Sequence, residues 1–180
     1  MRRALGAGVL AFAGLTATGC SLFDGGDDTP ATQIPKAEIG TDNHVKGAVA
    51  KAVQPYAGKD VYVDVISFRR HGKVLRLVFA VTPRAKGNGD KLPKQTFGGD
   101  YSGGEASRPY LVDPENLRVY DRLTIGTGDQ AHCACTRGLE DYPLDVPTVV
   151  YTDFPAPEES VERLTVIMPV VGPMAGVEIS

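Results

Sequence analysis

The chain has 180 residues, with 19 basic and 22 acidic side chains and a formal net charge of −3. That mildly acidic balance gives no electrostatic footprint for nucleic acid, and no nucleic-acid partner is expected. Thirteen prolines and 21 glycines are spread along the chain rather than gathered into a repeat, which argues for turns between many short strands.

The first twenty residues carry the strongest local signal. Arg2 and Arg3 precede an apolar run over residues 4–13, followed by Leu15, Thr16, Ala17, Thr18, Gly19 and Cys20. Basic, apolar and small residues in that order make an export leader. The run falls short of the about 20 apolar residues of a transmembrane helix. Small residues set directly before Cys20 resemble the lipobox of bacterial lipoproteins. That resemblance implies a signal peptide over 1–19, cleavage before Cys20, and a lipid on its thiol. Each buried methylene contributes about 0.8 kcal/mol and several chains anchor stably, so the expected address is the cell membrane, lipid-anchored on its extracytoplasmic face. Removal of residues 1–19 leaves 161 of the 180 residues and, with two arginines gone, takes the formal charge from −3 to −5.

Residues 20–43 include Gly25, Gly26, Asp27, Asp28, Thr29 and Pro30 and have little apolar periodicity. They read as a flexible tether, because too little apolar surface is on offer to offset the entropy of ordering. The folded domain is expected over 44–180. Residues 44–56 fit both a helical face (Val45, Val49, Ala52, Val53, Tyr56) and a strand, and read as a strand.

Over 60–70 the alternation is plain, with Val61, Val63, Val65 and Ser67 facing one way and Tyr62, Asp64, Ile66 and Phe68 the other. His71 and Gly72 then mark a turn into the alternating run over 74–81, which makes a β-hairpin. Residues 83–107 form a long glycine-rich loop, and Tyr101 within it is a candidate binding residue because loops on rigid scaffolds carry function. A second hairpin follows over 110–120, turning at Asp113, Pro114, Glu115 and Asn116 with proline at the second position. Further strands are predicted over 148–153, 163–168 and 176–179. Seven or eight strands suit two packed sheets, so the expected fold is an immunoglobulin-like antiparallel β-sandwich.

The run Tyr110-Leu111-Val112-Asp113-Pro114, then Val119-Tyr120, Cys133-Ala134-Cys135-Thr136, Phe154-Pro155-Ala156-Pro157 and the stretch from Met168 to Ser180 resemble an extracytoplasmic β-sandwich domain. That domain occurs in envelope lipoproteins of high-GC Gram-positive bacteria and ahead of OmpA-family peptidoglycan-binding domains. The resemblance covers about residues 45–180 and implies a fold and an address, and no established activity; an envelope protein or glycan is the candidate partner.

His132, Cys133 and Cys135 are the sharpest chemical constellation. With Cys20 consumed by lipid, the two remaining thiols sit in an oxidising compartment, where pairing is the default. Bridging one intervening residue requires a folded-back turn, since an extended span approaches about 7 Å between Cα atoms. The alternative is a copper or zinc site, or thiol redox work, built from the same imidazole and thiolates. No cofactor is expected on the first reading.

Catalysis finds no support in pattern. No serine occupies a Gly-x-Ser-x-Gly elbow, Gly126-Thr127-Gly128 lacks the third glycine of a dinucleotide fingerprint, and the acidic groups around Glu140, Asp141 and Asp145 and around Glu158, Glu159 and Glu162 read as solvated surface. Phe154 before Pro155 reads as a core residue at a rigid crossing between sheets.

Overall fold

Valines alternating with polar residues over the central third of the chain do pair into a long hairpin, and the rest of the fold is laid against it. The computed structural model describes residues 36–85, 91–97 and 108–180, so the leader, Cys20, the first part of the tether and Tyr101 lie outside the described residues. The strands in chain order are β1 (Ala50–Tyr56), β2 (Lys59–His71), β3 (Val74–Ala85), β4 (Leu92–Pro93), β5 (Tyr110–Asp113), β6 (Arg118–Tyr120), β7 (Thr124–Ile125), β8 (His132–Cys133), β9 (Asp141–Tyr142), β10 (Thr148–Pro155), β11 (Arg163–Met168) and β12 (Gly172–Glu178).

Eight of them make two four-stranded antiparallel sheets, β1-β2-β3-β10 and β12-β11-β5-β6, while β4-β9 and β7-β8 are short ribbons. The pairing order matches an immunoglobulin sandwich: β2, β3 and β10 take the places of strands A, B and E, and β5, β11 and β12 those of C, F and G. The expected β-sandwich is therefore the observed fold. Residues 44–56 are strand only from Ala50 onward.

Local chemistry sets the turns. The β1–β2 connection is the pair Ala57-Gly58 with φ of 48° and 73°, the two positive values that a type I′ hairpin requires. Between β2 and β3, Gly72 supplies a φ of 57° at the first turn position, which suits a type II′ turn.

One expectation about β2 is overturned. Strict alternation places Phe68 opposite to Val65, but the register slips between Val65 and Ser67, with Val65 opposite Phe79 and Ser67 opposite Val78. Ile66 is the extra residue of a β-bulge, which re-phases the strand and returns Phe68 to the face of Val61, Val63 and Val65.

Both inner faces then contribute to one core. Val61, Val63, Val65, Phe68, Leu75, Leu77, Phe79, Val81, Val150 and Phe154 come from the first sheet, and Leu111, Leu164, Val166, Met168, Met174 and Val177 from the second. Each fully buried side chain of this kind contributes about 1.5–3 kcal/mol. Phe97 and Tyr142 pack edge to face with centroids 5.3 Å apart, and burial pushes the Tyr142 hydroxyl well above its ordinary value.

The β5–β6 turn is held by Asp113. Its carboxylate accepts from the Asn116 side chain at 2.8 Å and from the amides of Asn116 and Glu115 at 3.0 and 3.1 Å. These donors, the Asn116 side chain foremost, hold the Asp113 carboxyl below its ordinary value of 3.8. A depressed value in the folded state means that the stabilisation is present above the unfolded value and is lost as pH falls through it toward the folded one. Asp113→Asn is accordingly expected to melt below the wild type at pH 7, with the gap in Tm closing as pH drops below about 4. Thermal melts across that range check it, and a gap constant with pH would refute it.

Candidate functional site

The Cys-Ala-Cys segment lies along the outer edge of β10. The β7–β8 ribbon leads into it through a turn at Gly126, whose φ is 84° and where a Cβ would come within 2.8 Å of the Gln130 carbonyl oxygen. Beyond the ribbon the chain folds back, bringing the sulfurs of Cys133 and Cys135 into a close pair with their Cα atoms 5.2 Å apart. Ala134 between them uses both backbone groups: its N–H donates to the Leu123 carbonyl at 2.8 Å, and its carbonyl accepts from the Asp153 N–H at 2.9 Å. Two further backbone bonds run to β10, Leu123 N–H to Asp153 O at 2.8 Å and Thr136 N–H to Tyr151 O at 3.0 Å. The Thr136 hydroxyl accepts from the Tyr151 amide at 2.9 Å.

Cys133 is 2% and Cys135 4% exposed. Reactive cysteines sit in accessible, electropositive surroundings. The His132 ring stays outside the pair, with Nδ1 3.0 Å from the Gln130 carbonyl oxygen. Among the described residues no group of three or more His, Cys, Asp or Glu gathers as a metal site.

A second polar arrangement escaped the sequence reading. Asp64 lies at the centre of β2 on the outer face and is fully buried. Its Oδ1 is 2.5 Å from Nδ1 of His44, and its Oδ2 accepts from the Val45 amide at 2.8 Å. The His44 ring also meets Tyr62 edge to face at 5.0 Å. The segment carrying His44 is itself shaped by backbone bonds from Gly40 to His44 and from Lys46 to Glu38, with Ile39 bridging Val45. The last residues of the expected tether are thus part of the folded unit. The available signal was a lone aspartate inside a run of valines, a place where a charge is found only when paired.

Two further arginines tie elements of the fold together. Arg76 forms a two-pronged pair with Asp153, both bonds 2.7 Å, and lies 4.6 Å over the Tyr151 ring; Asp153 raises the guanidinium above its ordinary value. Arg70 donates to the carbonyls of Pro157, Glu158 and Val161, closing the connection into β11. Within the two acidic groups, Glu158 pairs with Arg118, Asp141 with Lys91 and Asp145 with Arg84.

Among the described residues, exposed apolar side chains gather on two sheet-edge elements, and Ile125 on the β7–β8 ribbon is exposed as well. On the β5–β6 hairpin, Leu117 in the turn is 91% and Val119 61% exposed, and Tyr110 at the far end of β5 is 40% exposed. Leu117 also holds a φ of 52°, a conformation disfavoured for a side chain of its kind. Val49, Val53 and Tyr56 are exposed along β1.

No protein-family model, no curated protein and no solved structure matches the chain. Among the described residues no helix is long and apolar enough to cross a membrane.

Removing the Asp64 carboxylate strips His44 and the Val45 amide of their buried partner. An unsatisfied buried group costs about 1–3 kcal/mol, so Asp64→Ala is expected to lose that much stability in urea unfolding. A change within about 0.5 kcal/mol, the range of ordinary surface substitutions, would show that the pair contributes nothing.

Proposed function

We propose that the protein is a lipid-anchored extracytoplasmic lipoprotein whose immunoglobulin-like sandwich is a non-catalytic binding module of the cell envelope. The observation that carries the binding reading is the β5–β6 hairpin, whose turn is fixed by Asp113 and displays Leu117 to solvent, with Val119 exposed on β6 and Tyr110 at the far end of β5. Exposed apolar groups that do no packing work mark interaction sites when clustered, and Leu117 is held there in a conformation that favours glycine or asparagine. The address rests on the leader and the small residues before Cys20, which resemble a lipobox. The envelope-lipoprotein likeness of residues 45–180 points to the same surroundings, where a protein or glycan is the candidate partner. The close pair of Cys133 and Cys135 serves as a structural disulfide: it is buried and wedged into the sheet edge rather than presented to a substrate.

In a high-GC Gram-positive host, Cys20→Ser should move the full chain from the membrane fraction to the soluble one. A photo-crosslinking side chain at position 117 should give an adduct in intact cells, and Val119→Asp should remove that adduct without changing the Tm of the purified domain. Retention of the Cys20→Ser chain in the membrane would overturn the anchor, and absence of any adduct at 117 would overturn the binding tip.

A further inference from the structure

β10 is an outermost strand of its sheet, eight residues long, and its sequence Thr-Val-Val-Tyr-Thr-Asp-Phe-Pro has a single charge, Asp153, already held by Arg76. A segment rich in β-branched and aromatic residues with so little charge is a ready template for pairing with another chain. What occupies its edge is the Cys-Ala-Cys segment, through Asp153 to Ala134, Leu123 to Asp153 and Thr136 to Tyr151. The Cα spacing of 5.2 Å across the cysteines is shorter than the about 6.6–7.2 Å of two extended residues. Ala134 can bond Leu123 on one side and Asp153 on the other because the chain is pinched at that spacing.

We propose that the Cys133–Cys135 link is a lock on the edge of β10, and that opening it by a thiol reductant frees this edge to pair with the same strand of a second copy of the chain. The proposal rests on the disulfide reading given above. Reduction breaks the S–S bond, two electrons and two protons from a dithiol make the two cysteine thiols, and the reductant leaves as its own disulfide. Relaxation toward an extended spacing then pulls Ala134 away from Leu123 or Asp153, and the five bonds of the segment lose their common register. Identical strands related by a two-fold axis pair antiparallel, so the freed edge is self-complementary without any new surface. Burial of both sulfurs means that reduction proceeds through lifting of residues 123–136, which keeps the lock closed in passing contact with thiols.

Hydrogen exchange on the purified chain lacking residues 1–19, before and after treatment with dithiothreitol, tests this together with light scattering over a concentration series. Thiol blocking with mass mapping of the blocked positions comes first: free thiols at Cys133 and Cys135 in the untreated sample, apart from the one that Cys20 contributes, would overturn the disulfide reading and this proposal with it. With the disulfide present, the amides of Leu123, Ala134, Thr136, Tyr151 and Asp153 should exchange about tenfold faster or more after reduction, a change worth one or two edge hydrogen bonds, while those of Leu164 and Val166 in the other sheet hold. The reduced chain should also associate as concentration rises, and reoxidation should reverse both effects. The double change Cys133→Ser and Cys135→Ser should reproduce them without reductant. Unchanged protection of the five amides would overturn the lock, and fast exchange in a chain that stays at the oxidised size at every concentration would overturn its role as a guard against pairing.

Discussion

The rest of the structure depends on the single extra residue in β2. The β2–β3 hairpin runs 13 residues against 12, and a strand of that length in strict alternation would keep one set of side chains on one face throughout. The bulge at Ile66 breaks the phase at the middle. Before it, Val61, Val63 and Val65 point inward; after it, Phe68 and Arg70 occupy the inward phase, opposite Leu77 and Leu75. That switch brings Phe68 into the core beside Leu75 and Leu77, and lets Arg70 reach three carbonyls of the 157–161 connection. It also aligns the backbone of Phe68 and Arg70 with Ser180, whose N–H and carbonyl bond to them at 2.9 and 3.1 Å. Without the bulge, the end of the sandwich where the two sheets are tied by the last strand would have no apolar filling from β2 and no arginine to satisfy the connection.

On the other side of the same hairpin, Asp64, Ala80 and Thr82 are fully buried although they point away from the core. A sheet buried on both faces needs a cover, and residues 38–45 provide part of it, with Val45 packed down and His44 bonded to Asp64. This couples two links of the proposed function. The chain that would lead back to a membrane anchor does not leave the domain from a loose end; it is fastened to the central strand of a sheet. Tension on the tether would therefore act on the buried hydrogen bond between His44 and Asp64 before it reached the core.

Much of this was legible in the sequence where the signal was local. Alternation over residues 60–70 and 74–81 gave a hairpin because a half-buried strand must alternate, and Asp113-Pro114-Glu115-Asn116 gave a turn because proline presets φ and aspartate bonds the amides ahead of it. Phe154 read as a core residue, and it is. What stayed hidden depended on partners distant in sequence. The Ile66 bulge leaves no mark in the alternation of β2 alone, since only its register with β3 reveals the slip. Asp64 meets His44 twenty residues away, across a connection whose path no periodicity describes. The Cys-Ala-Cys motif announced a folded-back turn, but that the turn lies on β10 follows from the order of strands in the sheet, which fixes where an unpaired edge needs cover. The exposed tip at Leu117 was missed for a local reason: the hairpin over 110–120 is read from its strands and its proline turn, and nothing in that pattern shows that Leu117 closes the turn with a φ of 52° and faces solvent.

The four outermost strands are β1 and β10 in one sheet and β12 and β6 in the other, and they are blunted by different means. β1 carries Pro55, which has no N–H to offer, and Lys51, which is tied to Asp42 at 2.9 Å. β12 opens on Gly172-Pro173 and shifts register against β11. β6 is only three residues long, too short to template a partner strand by backbone pairing. β10 is long, weakly charged and free of any break before Pro155, and among the described residues a sulfur-pinched segment covers its edge. A fold that blunts every edge is one for which unwanted pairing is a cost, and against that background the apolar side chains left exposed at Leu117 and Val119 are informative. They sit on the edge least able to recruit a strand, so any partner bound there would be held by side-chain packing against a fixed tip rather than by extension of the sheet.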